Sequence, residues 1–241
     1  MSHIAARHIA PAKQQPGINQ TLTVILPCAG IGQRMKSRGT VALIDVGGMT
    51  VLERHLNNIW EVYPSAEIIV VVGFEANKII RKFRNKPVRF IYNANYRTTN
   101  VAYSIGLALQ ANTSSRVLIV YGDLVYTPNT ISGVVQGEST VVIDTQQNML
   151  KEEVGVVVRN GYVQHFSYAM QIKWAQIAYL TGKELKLFTV EAWQQQHHKW
   201  FGYEIFNLIL DRKCKLLTYE PNNMKLVEID TTTDILRAQS I

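Results

Sequence analysis

The sequence predicts an α/β fold: a Rossmann-like, mostly parallel sheet with helices on both faces and a partly antiparallel second half that caps the site. Three observations predict it. Short β-branched runs alternate with amphipathic segments between residues 23 and 121. The first of those runs empties into a Gly-rich loop, Cys28-Ala-Gly-Ile-Gly32. After Ser139 the spacing changes, and Asn160-Gly161 supplies a strong hairpin signal.

Taken in order, Thr23–Leu26 reads as the first strand. Val51–Tyr63 carries apolar residues at helical spacing (Val51, Leu52, Leu56, Ile59, Trp60), with Thr50 as N-cap. Glu67–Val72 is a β-branched run of the kind buried in parallel sheets. Asn77–Arg84 reads as a short basic helix, Val88–Tyr92 as a strand, Val101–Ala111 as a helix. Val117–Tyr121 is a further buried strand that ends at Gly122-Asp123. Val154–Arg159 and Tyr162–Tyr168 flank the hairpin turn. Ala175–Leu180 reads as another strand, Leu185–Gln196 and Trp200–Leu210 as helices. Leu216–Tyr219 and Leu226–Ile229 read as strands, and Thr231–Gln239 as the closing helix.

A chain of 241 residues buries a sizeable core in one α/β domain, expected over residues 21–241. Residues 1–20 carry Arg7, Lys13, Pro11 and Pro16 with no apolar stretch, and read as a flexible N-terminal extension rather than a secretory signal. No apolar run reaches the roughly 18 residues of a membrane span, so a cytoplasmic protein without a membrane partner is expected. Two distant cysteines, Cys28 and Cys214, fit no zinc spacing and read as reduced thiols. The net charge of +7 is concentrated: residues 76–97 hold seven basic side chains and no acid. A solvated helix face with a basic loop is the favoured account. Aromatic residues interleave poorly with these cations, which disfavours nucleic acid as a partner.

The chemistry gathers at strand ends, where open parallel sheets bind their ligands. Glycines let backbone N–H groups approach a phosphate, and Arg34 on the same loop adds positive charge. Asp123 follows one strand and Asp230 another. Two carboxylates facing a phosphate loop suit Mg²⁺, which takes one or two carboxylates, waters and phosphate oxygens. Each aspartate alone is equally well explained as a turn residue or a helix cap.

Leu26-Pro-Cys-Ala-Gly-Ile-Gly-Gln-Arg-Met35 resembles the signature of sugar-phosphate and alcohol-phosphate nucleotidyltransferases. Tyr96-Arg-Thr-Thr-Asn-Val-Ala-Tyr-Ser104 is similar to a segment of CTP:phosphocholine cytidylyltransferases. Tyr121-Gly-Asp123 and Glu228-Ile-Asp-Thr-Thr-Thr-Asp234 resemble the two metal-aspartate motifs of that family. The resemblance implies attack of a phosphate or phosphonate oxygen on the α-phosphorus of a nucleoside triphosphate, with CTP favoured and pyrophosphate released. It implies Mg²⁺ on Asp123 and Asp230. It implies a nucleotide held by Pro27, Cys28, Ala29, Gly30 and Gly32, with Asn100 and Ser104 near the base and acceptor.

The loop also departs from the family. Val41 stands where the family carries a phosphate-neutralising lysine, and Val101 where the choline-phosphate enzymes carry a second Asn. Two readings follow. Lys36 or Arg38, on the same loop, joins Arg34 as the catalytic cation set, or the chain is a catalytically weak nucleotide-binding or regulatory relative. The acceptor, a small phosphorylated alcohol, phosphonate or sugar phosphate, is expected among the second-half aromatics Trp174, Tyr179, Trp193, Trp200 and Tyr203. Trp200 and Glu204, one helical turn apart, are the substrate-binding pair, and His197-His198-Lys199 reads as a solvated face. Assembly into a homo-oligomer stays open at this level.

Overall fold

The computed structural model describes residues 21–32, 39–146 and 150–241. The predicted extension over residues 1–20 lies outside them. Strand β1 (Thr23–Cys28) runs two residues beyond its predicted end. A 3₁₀ turn at Val41–Leu43 and a small hairpin of β2 (Asp45–Val46) and β3 (Met49–Thr50) lead into α1 (Val51–Val62). Thr50 caps α1 in a reciprocal box: Glu53 N–H donates to Thr50 Oγ1 and Thr50 N–H to Glu53 Oε2. Then follow β4 (Glu67–Val72), α2 (Ala76–Phe83), β5 (Val88–Tyr92), α3 (Val101–Gln110), β6 (Arg116–Val120), β7 (Leu124–Tyr126) and β8 (Thr140–Asp144). The second half adds β9 (Val154–Arg159), β10 (Tyr162–Tyr168), β11 (Ile172–Thr181), α4 (Gly182–Trp193), α5 (Gly202–Asp211), β12 (Leu217–Tyr219), β13 (Leu226–Glu228) and α6 (Thr232–Ala238).

Nine strands form one sheet in the order β5-β4-β1-β6-β11-β8-β12-β10-β9. Its first four strands are parallel, as helical crossovers require. From β11 onward the pairing is mainly antiparallel, a larger share than expected, and only β8–β12 is parallel. β9 also pairs back to β11, which closes β11, β8, β12, β10 and β9 into a ring. The hairpin turn sits where the sequence puts it, with Asn160 and Gly161 both at positive φ (53° and 79°).

Alternation along the strands splits the core. Ile25, Ile69 and Ile119 face α3, α4 and α5 on one side. Val24, Leu26, Ile68 and Val70 face α1 and α2 on the other. A third, smaller cluster joins Ile44, Val46, Val51, Val125 and Ile229 to Ile235 and Ala238 of α6, with Val41 packed against it.

Four strands escaped the sequence reading: the short hairpin pair β2 and β3, and β7 and β8. β8 is five fully buried residues in mid-sheet. β7 is too short to declare itself, and it changes the expected architecture: β13 does not join the main sheet but pairs antiparallel with β7 in a two-stranded ribbon. Asp230 therefore ends a ribbon, not a strand of the parallel sheet. α5 begins at Gly202 rather than Trp200, which matters for the acceptor residues below.

Candidate active site

A cavity of about 1240 Å³ opens at the carboxyl ends of the parallel strands. Pro27, Ala29 and Gly30 supply one wall from the end of β1. Cys28 points the other way. It is buried in the core, and Gly122 packs so closely on it that an added Cβ would lie 2.5 Å from Cys28 Sγ and 2.8 Å from Pro27 O. Burial, and secondarily the charge of Asp123, push the Cys28 thiol up to about 12, so it stays protonated. Gly32 adopts a left-handed φ of 62° at the edge of the described loop. Arg34, Lys36 and Arg38 lie outside the described residues.

The opposite wall comes from the β5–α3 junction. Asn100 caps α3, its Oδ1 accepting from Val101 N–H at 2.8 Å, and its own N–H donates to His198 O at 2.8 Å. Ser104 lies one turn on, and both line the cavity. Asn93, which the sequence reading passed over, organises this wall. It is 1% exposed; its Nδ2 donates to Ser104 Oγ (3.0 Å) and Thr99 Oγ1 (3.2 Å), and its Oδ1 accepts from Asn95 N–H (2.9 Å). An asparagine just past a strand carries no signal that separates it from a turn residue.

The floor is acidic. Asp123 follows β6, and Ile229 N–H donates to Asp123 O at 2.9 Å. That bond and the β7–β13 ribbon bring Asp230 and Glu228 to Asp123. Burial, then the Asp230 charge, raise the pKa of the Asp123 carboxyl. Burial, then Asp123 and Asp230, raise that of Glu228, against the pull of Lys173. Asp123 Oδ1 is buried with no hydrogen-bond partner. Glu228 is held by Gln176, whose Nε2 donates to Glu228 Oε2 at 2.6 Å. Glu228 lay inside a recognised motif without being singled out.

Beyond the floor, Lys173 pairs with Glu153. Around them stand Glu152, Trp174, Tyr168, Phe201 and Tyr203. Tyr203 stacks on Phe201 with ring centroids 5.8 Å apart and meets Tyr168 edge-on at 5.6 Å. Trp200 and Glu204 do not line this cavity, a correction to the expected substrate-binding pair. Trp200 precedes the helix, and its ring lies 3.9 Å from that of His197 against the core. Glu204 is spent as a cap, accepting from Phe201 N–H at 2.7 Å. His197 is not on a solvated face: it is buried, with Nδ1 2.9 Å from Glu191 O. Tyr179 is core and Trp193 is an outer-surface residue stacked on Tyr103.

A Gly-rich loop end, a polar wall and an acidic floor thus border one cleft at the strand ends of an α/β sheet. The chain belongs to the MobA-like NTP transferase domain family, whose model matches residues 24–198. It is 34% identical over 104 residues to the bifunctional protein GlmU of Solibacter usitatus, a match that covers 43% of this chain and 22% of that protein. The chain thus spans about a fifth of the length of that curated relative. Among solved structures, the inositol-1-phosphate CTP transferase from T. maritima superposes with a TM-score of 0.80 at 13% identity, over 92% of this chain and 96% of the other. The CTP:phosphocholine cytidylyltransferase from Streptococcus pneumoniae does so with a TM-score of 0.71 at 15% identity, over 91% and 98%. At these identities the two structures speak to the fold.

Proposed function

We propose that the chain is a Mg²⁺-dependent nucleotidyltransferase that joins a nucleoside triphosphate to a small phosphorylated alcohol, phosphonate or sugar phosphate and releases pyrophosphate. One observation carries the reading: the Gly-rich loop end, the Asn100–Ser104 wall and the Asp123, Glu228 and Asp230 carboxylates share a single cavity. CTP is the first nucleotide to test, from the resemblance over Tyr96–Ser104 and from the CTP named by two fold neighbours.

The residues fit a divalent cation. Asp123 Oδ1 is a buried acceptor without a donor, and its carboxylate faces like charges. Among the described residues no group of three or more His, Cys, Asp and Glu closes into a cage. Mg²⁺ needs only one or two carboxylates and keeps waters and substrate phosphate oxygens in its shell. Asp123 and Asp230, with Glu228 beside them, would hold the ion, which when bound neutralises charge on the reacting phosphate.

The chain's own part is positioning, because phosphoryl-type transfer needs in-line placement and charge control more than proton transfer. Backbone amides after β1 take the triphosphate. Asn93 fixes Ser104 and the turn to Asn100, so the base and sugar meet a wall with little freedom. The acceptor's head group enters between Tyr168, Phe201, Tyr203 and Trp174, with Glu152 and Glu153 nearby. Aromatic faces beside carboxylates suit an amine or quaternary ammonium. An amino-alcohol phosphate is therefore the favoured acceptor.

Pyrophosphate release is the test, with CTP, UTP, ATP, GTP and dTTP against phosphocholine, phosphoethanolamine, aminoethylphosphonate, inositol 1-phosphate and hexose 1-phosphates. Turnover with CTP and an amine-bearing acceptor is expected. Nucleotide binding without turnover in any pair would reject the enzyme and leave the regulatory reading.

A further inference from the structure

Val41, on the connection from β1 to β2, has an apolar role in the structure. Val41 packs against the cluster of Ile44, Val46, Val125 and Ile229 that seats Ile235 and Ala238 of α6. An apolar residue at this position helps hold the C-terminal helix beside the cavity. That helix presents Thr233, Asp234 and Arg237 to the same cavity that receives Ala29 and Gly30.

Charge makes Arg237 informative. Six acids line the cavity: Asp123, Glu152, Glu153, Glu228, Asp230 and Asp234. Among the described residues only two cations do, Lys173 and Arg237. Lys173 is buried, 7% exposed, and closed in its pair with Glu153. Arg237 is 70% exposed and, among the described residues, its side chain meets Asp234 alone, at 3.5 Å between Nη1 and Oδ1. Most of its five N–H donors are left for a ligand. Its tether is fixed in turn. Asp234 Oδ2 accepts from Thr231 N–H (2.8 Å), Thr231 Oγ1 (2.7 Å) and Asp230 N–H (3.3 Å). The guanidinium is thereby coupled to the backbone of Asp230.

We propose that Arg237 binds the β- and γ-phosphates of the nucleotide. The inference rests on the nucleotidyl-transfer reading of the cavity. A planar guanidinium suits it, since arginine engages phosphate oxygens in bidentate fashion.

The test is calorimetric binding of CTP, CDP and CMP, with Mg²⁺, to wild type, Arg237→Ala, Arg237→Lys and the double variant Arg237→Ala/Val41→Lys. Arg237→Ala is expected to weaken CTP and CDP on the order of 10- to 100-fold, the scale of a lost charged hydrogen bond. CMP binding should stay within about twofold, because it lacks the phosphates concerned. Arg237→Lys should recover part of the loss as a point charge, and Val41→Lys should recover part by supplying a cation from the loop. Unchanged CTP affinity in Arg237→Ala, or an equal loss for all three nucleotides, overturns the proposal. A wild type that binds none of the three, and turns none over, overturns the reading of the cavity itself, which is a separate result. Thermal melts matching wild type establish that the variants are folded; if Arg237→Ala is not, Arg237→Lys decides, with a loss confined to CTP and CDP supporting the idea and unchanged CTP binding or a uniform loss rejecting it.

Discussion

His55 offers the sharpest quantitative test of the packing behind the active-site turn. It lies on α1, buried, with Nδ1 3.3 Å from Tyr126 OH and its ring 5.3 Å from the Tyr126 ring. Burial pushes its pKa down from 6.5 to about 4, against a smaller upward pull from the Gly122 backbone. The folded protein therefore resists a proton that the unfolded chain accepts. The neutral imidazole's contribution is fully present above pH 6.5 and is lost as pH falls toward 4. Linkage puts the loss at about 2 kcal/mol by pH 5 and at about 3 kcal/mol by pH 4. The raised carboxyls of Asp123 and Glu228 act in the opposite sense, since they hold protons better folded than unfolded. They are common to wild type and His55→Gln, so the difference between the two proteins isolates the histidine. Urea unfolding of both, with chelator, at pH 7.5, 6, 5 and 4.5 measures it. Stability curves that fall in parallel would show that His55 is not held neutral, and the tight packing around Gly122 would have to be redrawn.

Asp123→Asn should cut turnover on the order of 10²- to 10³-fold, the scale of one lost preorganised charge, yet raise the melting temperature of the metal-free protein by relieving buried like charges. A lower melting temperature would contradict the repulsion inferred on the floor. Gly122→Ala should cost about 1–3 kcal/mol in chemical unfolding, because its Cβ would meet Cys28 Sγ at 2.5 Å and the backbone of Pro27 at 2.8 Å; an unchanged midpoint would disprove that close approach. Glu204→Ala should lose roughly 0.5–2 kcal/mol of stability as a lost cap, with acceptor KM unmoved, whereas Tyr203→Ala should raise acceptor KM. Steady-state kinetics showing the reverse pattern would restore Glu204 to the acceptor site and remove Tyr203.

The parts of the site that are local in sequence were the legible ones. The β1 loop, the Asn100–Ser104 helix start and the motifs around the two aspartates each fall within a dozen residues, because a turn, a cap and a strand end are local events, although neither aspartate is distinctive by itself. What brings them together was not legible. Asp123 and Asp230 meet through the β7–β13 ribbon, three residues a side, below the length at which alternation gives a pattern. On the acceptor side, Trp174 and Tyr203 line the cavity as expected, whereas the pair Trp200 and Glu204 does not. Trp200 and Glu204 share helical spacing, but the helix starts at Gly202, so Trp200 turns to the core and Glu204 folds back as a cap. Tyr168 and Tyr203 meet edge to face from β10 and α5, a pairing only the tertiary fold creates.

Gln176 links the main sheet to the acidic floor. It lies within β11 at a φ of +58°, where the register to β8 shifts between Trp174 and Ala178. A side-chain-bearing residue in that region costs roughly 1–2 kcal/mol, so the bulge is held by its surroundings. What the distortion achieves is visible: it turns the Gln176 amide into the cavity and onto Glu228 at 2.6 Å, beside the two aspartates. Strained backbone and crowded carboxylates thus occur at the same place, each unfavourable for folding alone. Such coincidence is expected where a charge cluster is preorganised for a ligand rather than for stability. Gln176→Gly separates the two roles, since glycine accepts the left-handed φ without strain but cannot hold Glu228. Turnover should fall while the unfolding free energy stays level or rises. A parallel loss of both would make Gln176 a packing residue, and the strain at β11 would then have no connection with the acidic floor.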